Sequence, residues 1–145
     1  MADSVKLSVL DALVTTAQTV AAIKEVHMNE STPRAREEYA HPVLFLHDEA
    51  ESVEERNRLE IGRFDLIAEV WAEGSDTERT LENIRADLKK AFYSSVTLRT
   101  LNAACRERRS ERLTFEDTDV AGAIVMTFEV RYLASRLDPY TQLGY

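Results

Sequence analysis

Residues 58–74, RLEIGRFDLIAEVWAEG, alternate with a period of two, the pattern of a β-strand. Phe64, Leu66, Ala68, Val70 and Ala72 hold one set of positions, all apolar, as a face packed on a core requires. The other set carries Arg63, Asp65 and Glu69, which suit water, and also Leu59, Ile61, Ile67 and Trp71, which do not. At about 3.3 Å per residue, some fourteen residues of strand reach about 45 Å, far beyond the common five or six. Part of such a strand projects past the core it serves.

The same kind of pattern divides the rest of the chain. Residues 4–22 place Val9, Leu13, Ala17 and Val20 at steps of three or four, with Leu10 and Val14 beside them. That spacing predicts a helix capped by Asp3 or Ser4. The short run IKEVHM (23–28) is ambiguous and admits a small strand. Residues 29–41 are polar, without period, and read as a surface loop. PVLFLHD (42–48) predicts a strand opening at Pro42, and an acidic connector over 49–57 joins it to the long strand as an antiparallel hairpin.

Over 74–92, Leu81, Ile84, Leu88 and Phe92 make one stripe of a second helix. Ser75 and Glu78 have capping-box spacing, and Lys89 and Lys90 fall in the expected last turn. After a connector over 93–105 with room for a helical turn, residues 106–117 and 120–135 predict a second hairpin turning at Thr118 and Asp119. In its last strand Ile124, Met126, Phe128, Val130 and Tyr132 share one face, and Val125, Thr127, Glu129 and Arg131 the other. Residues 135–145 read as an extended tail. The order helix, hairpin, helix, hairpin is an α+β plan: an antiparallel or mixed sheet of about four main strands with two helices on one face.

Composition narrows the class. A chain of 145 residues, 44% hydrophobic and 30% charged, has the size and balance of one globular domain. No apolar run approaches the roughly 20 residues that cross a bilayer, and the N-terminus lacks the pattern of a secretory signal, so no membrane partner is expected. The lone Cys105 excludes an internal disulfide framework. A net charge of −8, from 26 acidic and 18 basic residues, argues against non-specific binding to a polyanion. It suits a protein that stays soluble at high concentration before assembling.

Candidate chemistry is sparse. Gly62, Gly74, Gly122 and Gly144 are too scattered for a nucleotide-binding loop, HExxH, CxxC and GxSxG do not occur, and one cysteine makes no thiolate zinc site. On a strand, His47, Glu49 and Glu51 project from one side with His41 not far off, a set able to bind metal or move protons. Against this stands a charged hairpin end in solvent. Arg106, Arg108, Arg109 and Arg112 form the one basic cluster, open to phosphate or an acidic partner, but Glu107 and Glu111 dilute it towards a solvated strand face. Cys105 has no histidine near it in sequence, and Tyr132 belongs to the core pattern. Leu59, Ile61, Arg63, Ile67, Glu69 and Trp71 leave two readings open: a sheet face covered by a loop or tail, or a subunit or partner interface.

Taken together, the chain resembles the tail terminator (tail completion) proteins of tailed bacteriophages. The likeness runs through the N-terminal helix ending near Ile23, PVLFLHD, the charged turn, RLEIGRFDLIAEVWAEG, TLENIRADLKKAF and VAGAIVMTFEVRYLASRLDPY. It is a likeness of pattern and order, not of a short motif. The resemblance implies a structural virion protein of the tail or neck, assembled in the host cytoplasm, neither an enzyme nor in need of a cofactor. Its subunits would form a hexameric ring on the head-proximal end of the tail tube, stop tube polymerisation and present a joining surface to the head. The implied partners are further copies of the chain, the tail tube protein, a neck or head-completion protein and, in a contractile tail, the sheath protein. DNA would pass through the channel without specific binding. A closed ring needs two different complementary patches per subunit. The hairpin over 42–72 offers one through Ile67 and Trp71, and the back of the sheet or the helix ends the other. Another neck or tail-tube component, and a small dimeric ligand-binding domain with Trp71 facing its ligand, remain as alternatives.

Overall fold

A computed structural model describes residues 4–29, 39–114 and 121–135. Their order is α1 (Val5–Ala17), β1 (Glu25–Met28), β2 (Val43–Arg56), β3 (Leu59–Glu73), α2 (Thr77–Ser94), α3 (Val96–Thr100), β4 (Ala104–Thr114) and β5 (Ala121–Ser135). The strands make one five-stranded mixed sheet, ordered β1-β2-β3-β5-β4, with β1 parallel to β2 and every other pair antiparallel. The fifth strand, beyond the four expected, is the ambiguous run after the first helix: Glu25–Met28 pair with Val43–Leu46.

The long hairpin is longer than its hydrophobic pattern indicates. The acidic stretch expected as a connector continues as strand to Arg56 and stays paired to β3, leaving Asn57 and Arg58 for the turn. Asn57 takes φ 54°, the left-handed conformation that tight hairpin turns demand and Asn tolerates. Carboxylates along 48–55 obscure the strand pattern, but β3 supplies a complete ladder for them to pair with. A bulge centred on Ala50 (φ 55°) inserts one extra residue between Glu49 and Ser52. At the far end the sheet thins, because β4 starts at Ala104 opposite Arg131, and beyond that row only β2, β3 and β5 are paired.

The helices cover one sheet face. Phe64, Leu66, Ala68, Val70 and Ala72 of β3 and Ile124, Met126, Phe128, Val130 and Tyr132 of β5 are all buried there, with Leu44 and Leu46 of β2. Val9 and Leu13 of α1 and Leu81, Ile84, Leu88 and Phe92 of α2 close the layer, Phe92 meeting Phe128 edge-on at 5.2 Å between ring centres. Ser4 caps α1 by accepting from the Leu7 amide. The helix stops at Ala17, not 22, because residues 18–23 turn back on themselves, their amides bonded to Val14, Thr16, Ala17 and Val20 carbonyls.

The second helix differs from its sequence pattern at both ends. It begins after Asp76 with no side-chain cap, so the Ser75–Glu78 box does not form. It runs on to Ser94, which takes Lys89 and Lys90 out of the last turn; Lys89 instead reaches Glu107 on β4 at 3.7 Å. The helical turn foreseen in the connector is α3. The Thr118–Asp119 turn, the tail from residue 136 and most of the 29–41 loop lie outside the described residues.

Candidate functional site

The alternation that buries Phe64 to Ala72 under the helices sends Leu59, Ile61, Arg63, Ile67, Glu69 and Trp71 to the opposite face. All six stand in one column along β3, each half-buried. Register then groups them by row across the sheet. Trp71 lies between Val43 and Ala123, Ile67 between His47 and Thr127, and Ile61 between Glu54 and Leu133.

The column is not uniform. Tyr39, only 4% exposed, folds over the end that holds Trp71. Its ring meets Trp71 at 5.9 Å and Phe45 at 4.9 Å, Phe45 meets Trp71 at 4.7 Å, and His27 stacks on Phe45 at 5.5 Å. Val43 and Ala123 are buried beside them. A loop residue therefore gives Trp71 a small second core, while Ile67, Ile61 and Leu59 stand further along the face.

The basic cluster is divided by a bulge. Between Glu107 and Arg109, β4 spends two residues against one of β5, so residues beyond Arg108 change sides. Arg106 and Arg109 stand on the uncovered face. Arg112 turns to the helix side and binds Glu82 at 2.8 Å and Glu78 at 3.4 Å on α2. There Arg85 makes a two-pronged bond to Glu107, at 2.7 and 3.1 Å, which pins α2 to β4. Hydrogen bonds from Arg112 and Arg85 hold the Glu82 carboxyl below its usual range.

In place of the expected four-arginine cluster, register builds a different one on the uncovered face. Arg63 of β3 stands opposite Arg131 of β5, and Asp65 stands opposite Glu129 in the next row. Arg106 reaches Glu129 at 3.8 Å, and Arg108 reaches Glu129 at 3.6 Å and Asp65 at 3.7 Å. A cavity of about 530 Å³ is lined by Arg63, Ala104, Arg106, Glu129 and Arg131, and a neighbouring one of about 300 Å³ by Asp65, Arg108, Arg109 and Thr127. Arg131 and Glu129 are the members that sequence reasoning missed. Both sit in the polar set of the last strand, but only the pairing register brings Arg131 to Arg63.

The histidine and carboxylate set does not assemble. His47 and Glu49 share the uncovered face, 3.7 Å apart and well exposed. The Ala50 bulge sends Glu51 the other way, to Lys6 and the Tyr132 hydroxyl. His41 lies at the opposite end of β2, 3.7 Å from Glu73. Among the described residues no three His, Cys, Asp or Glu side chains gather as a metal set. Burial pushes the Cys105 thiol up to about 12, which leaves it protonated at neutral pH and a poor nucleophile. Among the described residues no helix is long and apolar enough to cross a membrane.

No family model and no curated protein matches the chain. Among solved structures it is similar to a chain in the virion of a native gene transfer agent particle, with a TM-score of 0.52 and 15% identity over 90% of this chain and 92% of that one. A second solved structure reaches a TM-score of 0.47 at 14% identity, over 88% of this chain and 92% of that one. The first likeness is one of fold across nearly the whole of both chains.

Proposed function

We infer that this chain is a structural component of a virion, and that its place is the tail terminator: a ring, hexameric on the family pattern, that caps the head-proximal end of a phage tail tube. In that role it stops tube polymerisation and offers the surface on which the neck or head joins. The observation that carries this reading is the fold shared, over 90% of this chain, with a chain of a gene transfer agent virion. The order of elements that resembles tail terminators supports the finer assignment. A half-buried column of Leu59, Ile61 and Ile67 on the face away from the helices, and a hairpin that outruns β4, support an assembling protein and not an enzyme. Its partners on this reading are copies of itself, the tube protein and a neck protein, with sheath added in a contractile tail. DNA only passes through.

The test is the native mass of the purified chain, alone and mixed with tubes grown from its cognate tube protein, by light scattering and negative-stain microscopy. A six-subunit ring, or a cap confined to tube ends, is the expected result. A dimer indifferent to tubes overturns the reading and directs attention to small ligands of the sheet face.

A further inference from the structure

Charge on the uncovered face is laid out in rows. Arg63 of β3 stands beside Arg131 of β5, and in the next row Asp65 stands beside Glu129. Like charges directly opposite each other weaken a sheet, so both rows cost the isolated chain stability. Little within the chain relieves them. Arg63 has Glu54 at 3.8 Å, Asp65 has Arg108 at 3.7 Å, and Glu129 has Arg106 and Arg108 at 3.8 and 3.6 Å, all too long for hydrogen bonds. Among the described residues no ion pair holds Arg131. On the helix side, by contrast, Arg85 and Arg112 hold their carboxylates at 2.7 and 2.8 Å.

The rows on either side are less polar. Ile61 and Leu133 lie beyond the arginines, and Ile67 and Thr127 beyond the acids. Along β3 and β5 the series therefore runs apolar, basic, acidic, apolar, with its centre between Arg63 and Asp65. A second copy turned over about an axis across the strands at that centre meets the series in reverse. Arg63 then faces the second copy's Asp65, Arg131 its Glu129, Ile61 its Ile67 and Leu133 its Thr127, and each contact is made twice. An axis along the strands would instead lay Arg63 over Arg131 and Asp65 over Glu129, so charge admits one orientation and rejects the other.

The dimensions suit such a pairing. Packed sheets lie about 10 Å apart with their strands within about 30° of alignment, a gap that long side chains from both sides fill. A guanidinium presents a planar fork of donors that matches a carboxylate. From Leu59 to Glu69 the face is about 33 Å long, and four strands make it about 14 Å wide. About 500 Å² a side is the size of a weak, reversible contact. We propose that this face pairs with the same face of a second copy of the chain, as a two-fold dimer whose centre is Arg63 and Arg131 of each copy on Asp65 and Glu129 of the other. The proposal does not rest on the ring reading. An isologous pair closes on itself and cannot propagate round a ring. Where a ring forms, the pair is a separate state that opens first and frees Ile61 and Ile67.

Arg131→Glu and Glu129→Arg test it by sedimentation equilibrium over a concentration series, with urea melts to show that each variant is folded. The wild type should dimerise, and rising salt should weaken the dimer. Each variant alone sets like charges against each other at two contacts, and should raise the dissociation constant about tenfold or more. Mixed in equal amounts, the two should form a dimer of wild-type strength holding one of each, because both contacts then join opposite signs. The two changes placed in one chain should restore its dimer as well. Should Glu129→Arg melt early, Glu129→Gln takes its place, with a smaller loss alone and partial recovery beside Arg131→Glu.

A wild type that is monomeric at every concentration overturns the pairing, and so does a dimer that neither variant disturbs. Loss in both variants without recovery on mixing overturns it too. A chain that passes from monomer to six-subunit ring with no dimer between overturns the pairing and leaves the ring standing. A dimer that follows the charge swap but never caps tubes keeps the pairing and removes the ring.

Discussion

At Gly62 the middle of a strand carries no side chain, and the ring of Tyr132 lies in the space a Cβ would fill. The two residues are partners across β3 and β5, so the ring crosses the neighbouring backbone and covers it, as aromatic residues do over sheet glycines. The hydroxyl goes on to donate to Glu51 at 3.3 Å. Burial, with the Glu51 charge beside it, pushes this phenol up to about 12, so it remains a neutral donor across the physiological range. Gly62→Ala must displace the ring, and the expected cost is about 1–3 kcal/mol, the range for overpacked sites. Urea denaturation should show a lower midpoint at unchanged slope. Gly62→Ala with Tyr132→Leu should cost less than the two changes added together, since both act on one contact. A midpoint unmoved by Gly62→Ala would show that the ring has another place to go. The sequence places Tyr132 on the core side of its strand by parity alone. It gives no reason for Gly62, because that reason is a partner some 70 residues away, fixed only by register.

Between elements, the first helix and the long hairpin are tied by Lys6. Its ammonium reaches Asp48 at 3.0 Å and also binds Glu51, which the Ala50 bulge has turned towards it. Burial works against the Asp48 charge, but hydrogen bonds from Asn29 and Lys6, with the Lys6 charge itself, outweigh it and hold the carboxyl below its ordinary 3.8. A carboxyl whose folded pKa is depressed adds stability above its unfolded value and loses it as pH falls through the folded one. The wild type should therefore melt above Asp48→Asn at neutral pH, and the gap should close as pH drops below 3.8. Thermal melts over that range decide it. A gap that persists in acid would assign the effect to the geometry of the Asn29 bond, not to charge. The elements themselves were legible where apolar residues recur: both long helices, the core strands and the final strand follow periodicity. The stretch 49–56 was not, because its acidic side chains carry no alternation, and its strand state is conferred by β3.

For the whole molecule the question is what the face away from the helices serves, and its column divides into two parts. Trp71 lies under Tyr39 and against Phe45, so Trp71→Glu places a carboxylate inside a small core and should unfold more readily, by about 2–4 kcal/mol. Ile67 sits further along, between His47 and Thr127 with Arg109 in the same row, where a carboxylate finds both solvent and a cation. Ile67→Glu should change stability by no more than about 1 kcal/mol. If the face is an interface, that same change puts a charge into its apolar strip, and assembly on tubes should be lost while the urea midpoint hardly moves. The six candidate residues were legible as one face because strand parity is strict. Which of them a loop covers was not, since Tyr39 comes from a stretch with no period of its own and reaches the sheet only in the fold. The pair of variants turns that distinction into a measurement: stability should fall with Trp71→Glu, and assembly alone should be lost with Ile67→Glu. Should Ile67→Glu still cap tubes, the contact lies elsewhere, and the charged rows beside the column become the first place to look.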